Sequence, residues 1–123
     1  MSAVPAMGLA CAVIGLAGCA DKADQPRSLA GADPARGLVV IKRAGCASCH
    51  AVPGVRWPAG ATAASLDGFG DRPLISGRLP NQPDTLVRFI RDAPSLDPQT
   101  AMPPMPVTEA EARHVAAYLY TLR

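Results

Sequence analysis

Aromatic side chains are scarce in this sequence: one Trp, two Tyr and two Phe in 123 residues. That rules out a core built on packed rings. A domain of this size must then draw on small aliphatic residues or close around a staple such as a metal or cofactor. A surplus of one charge is also missing. The formal net charge is +2 and the basic residues are scattered, which excludes nucleic acid as a partner. No period-two alternation persists anywhere and no internal repeat is present, so sheet folds and repeat arrays are excluded. The length allows one domain. Proline and glycine, by contrast, are plentiful, at 13 and 11, and imply short helices joined by long, ordered turns.

Charge is wholly absent from the first nineteen residues. Ala3 to Ala17 is apolar, short for a bilayer span and of the right length for the hydrophobic part of an export signal. It runs into Leu16-Ala17-Gly18-Cys19, which resembles the bacterial lipobox. The expectation is a lipoprotein signal peptide over 1–18, a lipid on Cys19 and a flexible tether over 19–32. The domain proper then covers 33–123, outside the cytoplasm and held to the membrane. No Lys or Arg precedes Lys22, so the basic start of an export signal is missing, and an uncleaved membrane anchor or a wrongly assigned start stays open as the rival.

Four cysteines are present. Cys11 leaves with the leader and Cys19 takes the lipid, so Cys46 and Cys49 remain, with no further pair for a structural disulfide.

The mature chain reads as all-α, with three main helices. Asp33-Pro34 is an N-cap followed by proline at the first helical position. Gly37, Val40, Ile41 and Ala44 then form one apolar stripe, ended by Gly45. Asn81-Gln82-Pro83-Asp84 opens a second helix carrying Leu86, Val87, Phe89 and Ile90 to about Asp92. Thr108-Glu109-Ala110-Glu111 is a capping box, and the helix behind it buries Val115, Tyr118, Leu119 and Leu122. Two long loops, Ala51 to Gln82 and Ala93 to Val107, separate these helices. Loops of that length in a compact domain need something to wrap.

Cys46-Ala47-Ser48-Cys49-His50 supplies it. C-x-x-C-H is the signature of c-type haem attachment. Two thiols three positions apart, at a helix end and the following turn, reach two vinyl groups on one porphyrin edge. His50 is then held under the iron as its proximal ligand. A zinc site would need further Cys or His pairs, and a thioredoxin-like redox pair would need a βαβ setting; the sequence has neither.

On these residues the stretch from Asp33 to Arg123 resembles the class I, mitochondrial-like c-type cytochromes, and in particular a bacterial membrane-associated group. The likeness rests on the early helix with its glycine, on C-x-x-C-H, and on Thr100-Ala101-Met102-Pro103 followed by Val115-Ala116-Ala117-Tyr118-Leu119. It implies a small all-α cytochrome c fold around one covalent haem c and its iron, with first and last helices crossing near a right angle. Gly37 would let the last helix approach, with Tyr118 alongside, while Ile41 replaces the usual first-helix aromatic. The resemblance also implies that a backbone carbonyl receives the N–H of His50. The family's Gly-Pro-x-Leu is Ala63-Ala64-Ser65-Leu66 here, so Ala64 should serve, with Pro73 as the second choice.

Of the two mature methionines, the family's distal ligand corresponds to Met102. Met105 lies too close to the Thr108 cap, behind Pro103 and Pro104, and is expected to pack as filler. A His/Met pair fills both axial positions and raises the reduction potential. The implied function is electron transfer between membrane redox complexes of a respiratory chain, such as a quinol-oxidising complex and a terminal oxidase, with no catalysis of its own. One alternative is a fixed haem subunit of a larger oxidoreductase or oxidase; the other is a ligand-binding or catalytic haem protein. Arg56, Arg72 and above all Arg78 are candidate partners for haem carboxylates. Trp57 could cap the crevice, and His114 is expected on an exposed flank of the last helix.

Overall fold

The computed structural model describes Met1 and residues 27–123. The expected leader, Cys19 and the first part of the tether lie outside the described residues. None of the described helices is long and apolar enough to cross a membrane.

Helix α1, Pro34–Ala44, begins where the local chemistry requires. Asp33 is extended, and its carboxylate accepts the amides of Ala35 at 2.8 Å and Arg36 at 3.4 Å. Pro34 occupies the first helical position and has no amide to waste. Gly45, at φ 76°, closes the helix in the left-handed region and returns its N–H to Ile41. Helix α2, Pro83–Arg91, buries Leu86, Val87, Phe89 and Ile90 as the periodicity predicts. A single further turn, α3, Ala93–Leu96, lies in what the sequence reads as plain loop; it is too short to show a period. Helix α4, Glu109–Leu119, opens on the expected capping box: Glu111 N–H donates to Thr108 Oγ1 and Thr108 N–H to Glu111 Oε2.

Two strands of two residues each, β1 Leu74–Ile75 and β2 Leu79–Pro80, pair antiparallel with Ile75 opposite Leu79. Strands this short show no alternation, so the sequence pattern misses them. The turn between them holds Ser76 at φ 54° and Gly77 at φ 69°. The architecture remains helical, a small all-α cytochrome-like fold with a minor hairpin.

The core forms where α1 lies against α4 and α2 packs on α4. At the crossing, a Cβ on Gly37 would sit 2.6 Å from the carbonyl carbon of His114 and 3.0 Å from Tyr118 Cβ. No side chain fits there, so the two backbones meet directly. Ile41, at the place where the resemblance implies an aromatic, is 1% exposed. The same approach corrects the reading of His114. Its Nδ1 accepts the N–H of Asp33 at 2.8 Å, so the ring completes the cap of α1 instead of standing free on a flank.

The segment 27–32, expected as the end of a tether, lies against the domain. Leu29 is buried, Arg27 Nη1 donates to the Gly70 carbonyl at 2.7 Å, and its guanidinium stands over the Tyr120 ring. Tyr120 in turn donates to the wholly buried Asn81, whose amide group donates to the carbonyls of Arg72 and Phe69. Burial pushes the Tyr120 phenol up to about 12, with the nearby Arg27 charge opposing. This small network ties the C-terminus to the long first loop.

Arg43 of α1 pairs with Glu111 of α4 at 2.8 Å. That bond, with the Thr108 amide behind it, holds the Glu111 carboxyl at about 2, well below its ordinary 4.5. The folded value lies below the unfolded one, so the pair contributes its stability above pH ~4.5 and loses it as the pH falls toward the folded value. Thermal unfolding of the holoprotein and of Glu111→Gln should therefore differ by a constant amount at neutral pH. The difference should shrink steadily below pH ~4.5 and be nearly gone at the folded value. An equal difference at both ends would show that the pair carries no such stability.

Candidate haem-binding site

The motif occupies the turn that α1 delivers. After Gly45 the chain makes one 3₁₀ turn, Cys46–Ser48. The amides of Cys49 and His50 both donate to the Cys46 carbonyl, at 3.3 and 3.0 Å. Cys46 is half-buried and Cys49 exposed. Burial raises the Cys46 thiol above its ordinary value.

The first loop folds back along this turn. Gly60 N–H donates to Ala47 O, Ala63 N–H to Cys49 O and Leu66 N–H to Ala51 O, at 2.8, 3.0 and 2.9 Å. Gly60 is buried, and a Cβ on it would lie 2.6 Å from Cys49 N and 2.7 Å from Ala47 O. Sequence reading passed over Gly60, because one glycine in a glycine-rich loop carries no mark of its own. Tyr118 of α4 fastens the same loop by donating to Pro53 O at 2.6 Å.

The next step in this loop concerns His50. Its Nδ1 lies 2.7 Å from the Ala64 carbonyl oxygen. A carbonyl only accepts, so Nδ1 carries a proton and is the donor, which leaves Nε2 as the ring nitrogen turned away from this bond. Ala64 thus fills the place expected for it, and Pro73, the second choice, is engaged elsewhere, its carbonyl accepting Asn81 N–H at 2.9 Å. Without the usual proline, the segment after Ala64 is held by Arg72, whose Nη2 donates to the carbonyls of Ser65 and Asp67 at 2.7 Å each. Arg72 also stands over the Phe69 ring.

Of the other candidates, Arg78 pairs with Asp97 at 3.3 Å. Arg56 is exposed, and so is Trp57, at 85%. The two methionines part company. Met102 is half-buried and packs against the apolar core, with its amide donating to Thr100 Oγ1 at 3.2 Å. Met105 is tied by its amide to Arg91 O at 2.9 Å and lines a groove with Arg88, Asp92 and Ser95.

The donor chemistry suits a haem iron. It comprises two thiols on one turn and an imidazole whose Nδ1 is fixed by a carbonyl. Among the described residues no group of three or more His, Cys, Asp or Glu gathers to hold a bare metal ion.

Comparison with known proteins agrees. The family described as cytochrome c oxidase, cbb3-type, subunit III, matches residues 32–119. Cytochrome c-552 of Bradyrhizobium diazoefficiens is 34% identical over 101 residues, covering 82% of this chain and 86% of that protein. The chain belongs to the class I c-type cytochromes. A second relative, cytochrome c oxidase subunit 2 of Alkalihalophilus pseudofirmus, is 35% identical over 89 residues, or 72% of this chain. The cytochrome spans only 25% of that subunit's length. As a member of this family it binds haem c covalently, with its iron, and transfers electrons; it is a carrier and not an enzyme in itself.

Gly60→Ala tests the fold-back. A methyl group there meets backbone on two sides, so the loop must move off the Cys49 turn. The yield of holoprotein should fall severalfold, and what forms should unfold at lower temperature, since such overpacking costs about 1–3 kcal/mol. Unchanged yield and stability would show that the loop does not depend on this contact.

Proposed function

We propose that this cytochrome shuttles single electrons between membrane redox complexes, and that Cys46 and Cys49 would hold the haem through their sulfurs while His50 and Met102 would hold its iron. The observation that carries this reading is the division of labour between the methionines. Met102 faces the apolar core, while Met105 is pinned to the end of α2 in an outer groove. Haem c supplies, when bound, a one-electron iron couple. The protein's residues do the rest. The two thiols fix the position of the group. Ala64 O orients His50 and raises its basicity as a ligand. Met102 would offer a soft, neutral sulfur, which favours the reduced state. An iron that two such residues would hold suits a carrier and would disfavour gas binding or peroxidase-like chemistry.

Partners of this kind, a quinol-oxidising complex on one side and a terminal oxidase on the other, fit the oxidase relatives. The alternative, a fixed haem subunit of a terminal oxidase, is favoured by the same likeness, since the relative from Alkalihalophilus is itself named as an oxidase subunit. Purification from membranes separates the two readings: a shuttle comes away alone, whereas a subunit keeps a fixed stoichiometry with its complex. For location, the Leu16-Ala17-Gly18-Cys19 motif supports a periplasmic protein anchored by lipid on Cys19. Because residues 27–32 already lie on the domain, only seven residues would separate the lipid site from it. Mass spectrometry should find Cys19 as an acylated N-terminus; an intact leader or an unmodified N-terminus elsewhere would refute the anchor.

The ligand assignment is tested by the methionines. Met102→Ala should abolish the weak far-red sulfur-to-iron absorption, lower the reduction potential and open the reduced protein to carbon monoxide. Met105→Ala should leave the band in place. The opposite pattern would mean that Met105 is the ligand.

A further inference from the structure

We propose that Asp97 is a positioning residue for the distal ligand: with Ser76 and Arg78 of the hairpin turn it forms a latch that holds the Met102 segment in place. This rests on the reading of Met102 as the ligand.

Asp97 is 4% exposed, and a carboxylate is not buried so deeply without compensation. Here it is fully partnered. Oδ1 accepts from Arg78 Nη1 at 3.3 Å and from the Gln99 amide at 3.2 Å, and Oδ2 accepts from Ser76 Oγ at 3.2 Å. Two of the three donors come from the β1–β2 turn, far away in sequence. Ser76 is the only described non-glycine residue with positive φ, at 54°. That strained conformation costs of order 1 kcal/mol and persists only where its surroundings hold it.

From Asp97 a short run of bonds leads to the ligand. Thr100 N–H donates to the Asp97 carbonyl at 3.0 Å, and Thr100 Oγ1 accepts the amide of Met102 at 3.2 Å. Beyond Met102 the chain is Pro103-Pro104, and its next anchor is the bond from Met105 N–H to Arg91 O. The Met102 segment is therefore slung between two pins, one at the end of α2 and one at the buried Asp97 carboxylate. Nothing in the sequence signals the second pin, since Asp97-Pro98 reads as an ordinary turn. Arg78, a candidate for a haem carboxylate from sequence, is the part of the latch that reaches in from solvent, its side chain 57% exposed.

The test uses the full holoprotein and compares Asp97→Asn, Arg78→Gln, Arg78→Lys and the Asn/Gln double variant, with Met102→Ala as reference. Readouts are the far-red sulfur-to-iron band with rising temperature, the rate of carbon monoxide binding to the reduced protein, and helix unfolding by circular dichroism. Asp97→Asn and Arg78→Gln should each lose the band well below the temperature at which the helices unfold. Each should also bind carbon monoxide about tenfold faster than the unmodified protein, as expected for loss of one charge-assisted hydrogen bond. The double variant should be no worse than the worse single one, and Arg78→Lys should recover part of the effect. If Asp97→Asn yields no holoprotein, the exposed Arg78→Gln decides alone. A band as heat-stable as in the unmodified protein in the Asp97 or Arg78 variant, while Met102→Ala removes it, overturns the latch and leaves the ligand assignment standing. An effect of Arg78→Gln without one of Asp97→Asn also overturns it, and places Arg78 on another group. If Met102→Ala keeps the band, the ligand reading fails and the latch with it.

Discussion

The contact on which the other parts of this protein depend is the meeting of two backbones at Gly37 and His114. With no side chain between them, α1 and α4 approach until the Asp33 amide reaches the His114 ring and Arg43 reaches Glu111. These polar contacts cross between the helices on either side of Gly37, so the crossing is fixed along its length and not at one point. The haem turn leaves directly from the end of α1, and the loop that covers it is fastened to α4 through Tyr118 and Pro53. A shift at the crossing would therefore be passed to both walls of the site.

The site itself is made mostly of backbone. Gly60, Ala63, Ala64 and Leu66 each place an amide or carbonyl against the segment from Ala47 to Ala51, and the one contact that sets the chemistry is a carbonyl on an imidazole. The resemblance to class I cytochromes implies a proline at this place, where the chain has Ala64. Here the stiffness comes from outside the segment, through the two bonds that Arg72 donates to Ser65 and Asp67. Only the carbonyl position matters to His50, and Ala64 presents that carbonyl at 2.7 Å.

A core with few aromatics is consistent with this plan. The largest fully buried side chains are Ile41, Leu86 and Asn81, one of them polar. Asn81 is tolerated because each of its groups is paired, and it joins the C-terminal Tyr120 to the first loop. A domain this small gains from a covalently held cofactor. The same domain plan occurs free-standing, in a protein of nearly this length, and as a quarter of a longer oxidase subunit.

What the sequence determined by itself is what depends on neighbours within a few residues. The starts of α1 and α4 could be read from Asp33-Pro34 and from Thr108 with Glu111, because a cap is closed by amides two or three positions on. The attachment motif was equally plain, since its spacing is its mechanism. The Ala64 carbonyl could be anticipated only through resemblance to other cytochromes; its partner is fourteen residues away. Tertiary structure alone decided that His114 caps a helix across the fold, that Arg78 turns to Asp97, that Gly60 admits a passing backbone and that 27–32 belongs to the domain. These pairings span long stretches of chain and involve groups that every residue carries, or single charges among many. Such groups leave no periodic or local trace, and only the folded geometry selects which of them meet.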